Sequence, residues 1–361
     1  MADLVSLNEI RAAAQRLRGV AVRTPLLAFP GAAAAVGPPA LLIKPESLQP
    51  TGAFKLRGAY NAISTLLEAR PDQQTATAAP ADQGQRPRPA GVVAHSSGNH
   101  GFAVAYAAAL LGIPAAIVVP DNAPQVKTDL IRSVGAEIVT VAPTLAARLE
   151  ASSRIARERG YAEIPPFDDR RVIAGQGTIG LEIAEDLAGP RSPAAVLVPV
   201  GGGGMVSGIA VAVKALLPGT RVVGVEPEFA ADARDSLRTG ERVAWAPADT
   251  ARTKADSLRV EQVGELTFPH IQALVDDIVT VSEGEIFAAV RRLARDGRLV
   301  AEPGGAVAVA AALFRDPAEL GLTPGGLTPA GLTSGETTAP VVAVLSGGNI
   351  DPTLLADILR D

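Results

Sequence analysis

The sequence predicts an α/β fold whose strands form mostly parallel sheets. Short apolar runs of strand length alternate with helical segments over most of the 361 residues, with short connections between them. This alternation is typical of right-handed crossovers in a parallel sheet. Hydrophobic residues make up 47% of the chain but aromatic residues only 3%, and small apolar side chains suit helices that pack closely on a sheet. The length allows one large or two medium domains.

The composition excludes several classes of function. The formal net charge of -5 argues against nucleic acid or an anionic membrane as the main partner. The absence of cysteine excludes disulfides, zinc-thiolate sites and cysteine nucleophiles. No basic segment followed by an apolar run opens the sequence, and no apolar stretch approaches the roughly 20 residues of a membrane span. We therefore expect a soluble cytoplasmic protein.

The elements follow in order along the chain. A capping box at Ser6 opens a first helix, residues 40–44 are a short apolar strand, and a second helical pattern runs from just after Lys55 to about residue 70. Residues 71–89 contain no large apolar side chain, so we predict a flexible insertion there. A loop of low complexity is predicted at 316–339.

Beyond the insertion, strands and helices alternate. Apolar runs predict strands at 91–94, 115–119, 137–141, 195–199, 221–225, 277–281 and 341–345. Helical patterns follow the loop at 95–101 and cover 125–134, 145–159, 177–187 and 306–314, with others opening near 205 and 282. Three strands run directly into small, polar or glycine-rich segments. Because ligands bind at the carboxyl edge of such sheets, we expect the site there.

The stretch from Ser47 to Tyr60 places Lys55 directly after Phe54 and at the start of a helix. A lysine becomes a covalent catalyst when its ammonium is partly desolvated, because the neutral amine can then attack a carbonyl and form a Schiff base. The turn at 50–52 sets where the helix begins, and so the direction in which Lys55 leaves it. Taken alone, a solvated surface charge is the commoner role of such a lysine.

Three further segments suggest ligand binding. The glycines at 201–204 separate a strand from a helix, where free backbone amides can bind a phosphate. They lack the Lys-Ser/Thr of a P-loop and the Gly-x-Gly-x-x-Gly spacing of a dinucleotide fold. Residues 96–100 open a helix whose amides suit a carboxylate, and Ser346 offers a hydroxyl at a strand end. Each has a structural alternative: a packing turn, an N-cap or a loop serine.

Together these segments resemble the fold type II pyridoxal phosphate enzymes, and within them the serine/threonine dehydratase and serine racemase family. The resemblance covers nearly the whole chain. It rests on Thr-Gly-Ala-Phe-Lys-x-Arg-Gly-Ala at 51–59, Ser-Ser-Gly-Asn-His at 96–100, Ala-Gly-Gln-Gly-Thr-Ile at 174–179, Pro-Val-Gly-Gly-Gly-Gly-Met at 199–205, Glu302-Pro, and Ser-Gly-Gly-Asn at 346–349. It implies a fold like that of the tryptophan synthase β subunit, with two doubly wound sheet domains and the cofactor between them. The large domain comprises residues 1–67 and 170–361, the small domain 91–168.

The resemblance also implies a role for each matching residue. Lys55 forms the Schiff base and removes the α-proton, and Ser97 is a second catalytic group that can return a proton from the opposite face. The cofactor-binding residues are Phe54, Lys55, Asn99, Gly201, Gly202, Gly203, Gly204, Met205, Glu302 and Ser346. The substrate-binding residues are Ser96, Ser97, Asn99, His100 and Arg148.

Relatives that bind a divalent cation use a Glu, a backbone carbonyl and an Asp at a spacing that falls here on Glu226, Ala230 and Asp232. Such oxygen-only ligands suit Mg or another hard divalent cation. The structural alternative is a pair of acidic residues on a solvated loop, where carboxylates are usually found.

The reaction implied is β-elimination from L-threonine or L-serine, giving 2-oxobutanoate or pyruvate plus ammonia. Ser346 faces the pyridine nitrogen in this scheme, and a hydroxyl does not stabilise a protonated nitrogen as an aspartate does, so elimination is favoured over transamination. The alternatives are a serine racemase with side dehydratase activity and a catalytically silent pyridoxal phosphate binding protein. We expect a homodimer that acts on a small amino acid.

Overall fold

The computed structural model describes residues 3–30, 41–68, 88–96, 98–123, 125–189, 192–322 and 339–360. Ser97 lies outside these ranges. So do nearly all of the insertion expected at 71–89 and most of the loop expected at 316–339.

The strands form two sheets. They span Leu27–Ala28 (β1), Leu41–Pro45 (β2), Gly91–Ala94 (β3), Ala115–Pro120 (β4), Glu137–Val141 (β5), Tyr161–Glu163 (β6), Ala195–Pro199 (β7), Arg221–Pro227 (β8), Asp277–Val281 (β9) and Val341–Leu345 (β10). The six-stranded sheet has the order β1-β2-β10-β7-β8-β9, and the four-stranded sheet the order β5-β4-β3-β6. Only β1 pairs antiparallel among the described strands. The predicted α/β class with parallel sheets is confirmed.

The main helices cover the faces of these sheets. They span Leu7–Arg16, Lys55–Glu68, Asn99–Leu110, Gln125–Ser133, Leu145–Arg159, Arg170–Asp186, Gly204–Leu216, Asp232–Thr239, Thr267–Leu274, Glu283–Arg292, Pro303–Phe314 and Pro352–Arg360. Within the described ranges, no helix combines the length and apolar character needed to cross a membrane.

Two predicted helix starts are too late. The helix expected from about residue 177 begins at Arg170, because the Asp169 carboxylate accepts hydrogen bonds from the backbone N–H groups of Arg171 (2.7 Å) and Val172 (3.3 Å). The helix expected from residue 306 begins at Pro303, which occupies the first turn, where its missing N–H costs nothing.

Close helix packing explains the preference for small residues. The helix Arg170–Asp186 lies directly against the helix Gly204–Leu216. A Cβ at Gly208 would overlap the carbonyl oxygen of Ile173, and a Cβ at Gly177 would lie 2.9 Å from the carbonyl oxygen of Gly208. The backbones therefore approach as closely as they do only because both positions are glycine.

The helix Lys55–Glu68 contributes to the core of the smaller sheet. Its buried side chains Leu56, Ala59, Ala62 and Ile63 share one apolar cluster with residues of β3 and β4, including Ile117. All four strands of that sheet fall within the small domain predicted at 91–168. The exact division between domains stays a prediction.

Candidate active site

Three segments that are distant in the sequence are joined by backbone hydrogen bonds at the carboxyl end of β10. The N–H of Phe54 donates to the carbonyl of Ser346 (3.1 Å), and the N–H of Gly348 donates to the carbonyl of Gly52 (2.9 Å). The N–H of Glu302 donates to the carbonyl of Gly347 (3.1 Å). The turn before Lys55, the start of the helix Pro303–Phe314 and the loop 346–349 therefore form one rigid unit.

Lys55 is the first residue of its helix and extends toward the segment that follows β6. Its Nζ donates to the carbonyl of Pro166 (2.8 Å) and lies 5.0 Å from the centre of the Phe54 ring. Burial lowers the pKa of Lys55 from 10.5 to about 8, an effect that the negative charge of Glu302 opposes. The amine thus has a substantial neutral fraction near neutral pH, which a nucleophile requires.

A chain of side-chain hydrogen bonds passes beside this amine. Asn99, at the start of the helix Asn99–Leu110, donates through Nδ2 to Oε1 of Glu302 (2.8 Å). Its Oδ1 accepts from Nδ2 of Asn349 (2.8 Å). The helix of Asn99 packs with the four-stranded sheet, and the helix that Glu302 caps packs with the six-stranded one. The bond between them therefore joins elements of both sheets beside Glu302, whose charge acts on Lys55.

The glycine loop at 201–203 lies between β7 and the helix Gly204–Leu216. Gly203 has a φ of +90°, a conformation that favours glycine, and no side chain caps the helix that it opens. Among the described residues, no side chain accepts from the first amides of that helix, which carry the positive end of the helix dipole. The loop is therefore built to accept an anionic group such as a phosphate.

The segment 166–169 contacts both Lys55 and the glycine loop, although it was not among the residues predicted to form the site. Pro166 accepts from Lys55, and the ring of Phe167 packs so closely on the loop that a Cβ at Gly202 would overlap it. The Asp168 carboxylate caps the helix Thr267–Leu274 through backbone N–H groups including that of Leu266 (2.8 Å), and Asp169 caps the next helix. Two aspartates before an apolar run are an N-cap signal, which could have located this segment.

The remaining residues predicted to bind cofactor or substrate have different surroundings. Ser346 and Met205 are buried, at 4% and 5% exposure, and Ser96 Oγ accepts from the N–H of Gly98 (3.3 Å).

The ring of His100 is buried and its Nε2 bonds to the carbonyl of Ile164 (2.7 Å). Burial, with a contribution from Lys55, lowers the pKa of His100 to about 3, so the ring is neutral. This arrangement favours a structural role for His100 over the predicted contact with substrate.

Among the described residues, Arg148 makes no hydrogen bond or ion pair with Lys55, Asn99 or Glu302. Its Nε donates to the carbonyl of Thr144 (3.4 Å). Its charge also acts on His95, whose pKa is lowered by burial first and by Arg148 second. The Nδ1 of His95 is buried without a hydrogen-bond partner among the described residues. The assignment of Arg148 to substrate binding stays a prediction.

The predicted cation ligands form a buried acidic pair. Glu226 is fully buried and accepts from the backbone N–H groups of Ala233 (3.0 Å) and Arg234 (2.8 Å). Asp232 is 1% exposed, and neither of its carboxylate oxygens has a hydrogen-bond partner among the described residues. Burial raises the pKa of Asp232 to about 7, and burial together with Asp232 raises that of Glu226.

A buried carboxylate without a partner fits a hard divalent cation, which would replace the lost hydration with charge neutralisation. The described residues contain no cluster of three or more His, Asp or Glu side chains suited to a metal ion. The predicted ligand set contains only two carboxylates, with the Ala230 backbone carbonyl as the third ligand, so the lack of a larger cluster does not contradict it. The solvated-loop alternative does not fit, because both carboxylates are buried.

A partly desolvated lysine and a glycine loop at a helix start, which contact the neighbouring residues Pro166 and Phe167 in a fold of two mainly parallel sheets, are typical of enzymes that use pyridoxal phosphate. Residues 17–326 match the family described as pyridoxal-phosphate dependent enzyme. The chain belongs to this family and has its fold type II architecture, as the motifs predicted. The family cofactor is pyridoxal phosphate, and the Lys55 amine and the glycine loop fit its aldehyde and its phosphate.

Within the family, the chain is similar to ammonia-lyases and racemases of amino acids. It is 39% identical to the L-threonine ammonia-lyase of Thermotoga maritima, over 99% of this chain and 79% of that protein. It is 36% identical to the serine racemase of Arabidopsis thaliana, over 99% of this chain and 96% of that protein. Among solved structures, the processed form of threonine deaminase isoform 2 from Solanum lycopersicum superimposes with a TM-score of 0.80 at 34% identity, covering 98% of this chain and 86% of that one.

Proposed function

We propose that the protein is a pyridoxal phosphate dependent ammonia-lyase that converts L-threonine or L-serine to a 2-oxo acid and ammonia. The observation that carries the proposal is the half-buried Lys55, whose amine donates to the carbonyl of Pro166 (2.8 Å) and has its pKa lowered by desolvation to about 8. The similarity to L-threonine ammonia-lyases indicates the reaction.

The residues of the chain divide the work of this reaction. When bound, the cofactor withdraws electrons from the α-carbon of the amino acid. Lys55 anchors the cofactor and, once released by the substrate, can take the α-proton, because its lowered pKa suits a base near neutral pH. Loss of the β-hydroxyl as water and later addition of water at the α-carbon give the 2-oxo acid and ammonia. Ser346 is held by its backbone bonds to Phe54 and Gly305, so a neutral hydroxyl is fixed where it is predicted to meet the ring nitrogen.

The test is to incubate the purified protein with L-serine, L-threonine and their D-enantiomers, and to measure 2-oxo acid and enantiomer ratio together. We expect 2-oxo acid from at least one L-substrate. If the protein binds pyridoxal phosphate but forms neither 2-oxo acid nor the opposite enantiomer, it is the silent binding protein of the third hypothesis.

A serine racemase with side dehydratase activity is the second candidate, favoured by the similarity to plant serine racemases. Ser97→Ala is expected to abolish formation of D-serine from L-serine and to leave elimination from L-serine largely intact. The reason is that inversion needs a second proton donor on the face opposite Lys55. Chiral chromatography of the product measures this. Ser133→Ala is the control, since its exposed hydroxyl donates to the carbonyl of Leu130 at the end of another helix, and it should keep both activities. Unchanged interconversion in Ser97→Ala would contradict a catalytic role for Ser97.

The rate at which cofactor-free protein takes up pyridoxal phosphate is expected to rise with pH through about 8. Only the neutral amine attacks the aldehyde, and with this pKa about a tenth of Lys55 is neutral at pH 7. Stopped-flow absorbance between pH 6 and 10 measures the midpoint. Glu302→Gln should move the midpoint lower, because the Glu302 charge raises the pKa. A wild-type midpoint near 10 would show that Lys55 is solvated.

We also propose that Glu226, Ala230 and Asp232 bind a divalent cation. Adding Mg to chelator-treated protein is expected to raise the melting temperature by about 5 °C or more, because a cation that binds only the folded state stabilises it. Asp232→Asn should lose this response. Asp235→Asn, which changes a half-buried carboxylate on the same helix, should keep it. If chelator changes neither melting temperature nor rate, this acidic pair does not bind a cation.

A homodimer and a cytoplasmic location complete the proposal. Analytical ultracentrifugation of the purified protein tests the first of these.

A further inference from the structure

Asn349 occupies a defined place beside the site, although its role was not predicted. Its Nδ2 donates two hydrogen bonds, to the carbonyl of Thr51 (2.9 Å) and to Oδ1 of Asn99 (2.8 Å). The side chain is packed against the turn before Lys55 so closely that a Cβ at Gly52 would overlap it. Asn349 and the turn are therefore in close contact, which only a glycine at position 52 allows.

These bonds give the amides a fixed direction. A backbone carbonyl can only accept, so the nitrogen of Asn349 must face Thr51. The second hydrogen of that nitrogen goes to Asn99, which must then present its oxygen to Asn349 and its nitrogen to Glu302 (2.8 Å). A flipped Asn99 would place two donors together and set its oxygen against the Glu302 carboxylate. The Thr51 carbonyl, through Asn349, and the Glu302 carboxylate thus fix the same orientation of the Asn99 amide.

The orientation of Asn99 matters because its nitrogen carries two hydrogens. One is donated to Glu302, and among the described residues the other has no acceptor. An N–H group is thereby held at the site for an acceptor atom on a bound group. Without Asn349, the amide of Asn99 would be oriented by the bond to Glu302 alone, and its oxygen would lose its donor.

We propose that Asn349 is a positioning residue that holds the Asn99 amide with its N–H available to the bound cofactor, and so sets the cofactor's ionisation. This inference rests on the proposed cofactor role of Asn99. The chain of bonds also crosses between the two sheets, because the helix of Asn99 packs on the four-stranded sheet whereas Asn349 follows β10 of the six-stranded one. Asn349 therefore connects the predicted cofactor-binding residue Asn99 with the loop that follows the six-stranded sheet.

The experiment compares Asn349→Ala with Asn61→Ala. Asn61 is a matched control, because its Nδ2 also donates to a backbone carbonyl of another helix, that of Arg171 (2.7 Å), but it has no bond to the site. The first readout is the pH midpoint of the visible absorbance of pyridoxal phosphate bound to the protein. Asn349→Ala is expected to raise this midpoint by about 0.5 unit or more, because a nearby N–H donor favours the more negative form of the cofactor. Asn61→Ala should lower stability and leave the midpoint unchanged.

The second readout is the unfolding of the cofactor-free protein, which does not depend on the proposed function. The unfolding constants of Asn349→Ala, Asn99→Ala and the double variant should be non-additive by a factor of roughly 5 or more, as expected for residues that share a hydrogen bond. Additive effects, or an Asn349→Ala midpoint equal to that of wild type, would overturn the inference. If wild type takes up no pyridoxal phosphate, the proposed function fails, whereas the cycle still tests the bond.

Asn349→Asp keeps the side-chain shape against Gly52 and removes both donors, so it replaces Asn349→Ala if that variant does not fold. It is expected to raise the midpoint as well, since it also adds a negative charge.

Discussion

Lys55→Ala is expected to lose ammonia-lyase activity by at least about 10³-fold and to lose the yellow colour of bound pyridoxal phosphate. The substitution removes both the amine that binds the cofactor covalently and the group proposed to take the α-proton, and removal of a general base alone commonly costs 10²- to 10⁴-fold. The half-buried position and the lowered pKa of Lys55 provide the physical basis. Visible absorbance and initial rates of 2-oxo acid formation measure the effect.

The assignment to this particular lysine has its own control. Lys254 is exposed, and Lys254→Ala should remain yellow and active. Reduction of the wild-type protein with borohydride, followed by peptide mapping, should place the cofactor on Lys55. A label on any other lysine contradicts the assignment.

Arg57→Ala is expected to destabilise the protein by about 3–5 kcal/mol, because it leaves buried carboxylates without their main partner. Arg57 is 1% exposed, and its guanidinium contacts Glu46 (2.7 Å) and Glu182 (2.6 Å). Lys44 completes the cluster through Glu182 (2.6 Å). The positive charge of Arg57 lowers the pKa of Glu46 despite complete burial, so Glu46 is ionised in the folded protein. This cluster ties the helix of Lys55 to β2 and to the helix Arg170–Asp186.

Urea unfolding of the variant measures the loss. Arg23→Ala is the matched control, because Arg23 also pairs with two carboxylates, of Glu185 and Asp186, but its side chain is 49% exposed. Solvent screening should keep the cost of that change below about 1 kcal/mol. A cost for Arg57→Ala as small as that for Arg23→Ala would show that water enters the cluster.

The candidate site was predictable to the extent that its chemistry is contained in short stretches of sequence. Lys55 after an aromatic residue and the glycines before Met205 are local patterns, and the structure places both where strands or turns run into helices. For other groups, a local pattern does not show which residues they contact. Pro166 contributes only a carbonyl, and Asn349 contributes an amide whose partners Thr51 and Asn99 lie far away in the chain. His100 was expected to face the substrate because it stands in the same motif as Asn99, but the helix turns its ring toward Ile164.

The sequence alone determined the α/β class, the order of most strands and helices, the lysine and the glycine loop, because alternation of apolar runs, caps and glycine spacing act over a few residues. The tertiary structure decided which distant groups meet. The charge cluster of Lys44, Glu46, Arg57 and Glu182 draws on residues up to 138 positions apart. The lowered pKa of Lys55 depends on desolvation by residues far away in the sequence, such as Pro166, which lies 111 positions later. Burial and long-range pairing arise from packing of the whole chain, so no local pattern specifies them.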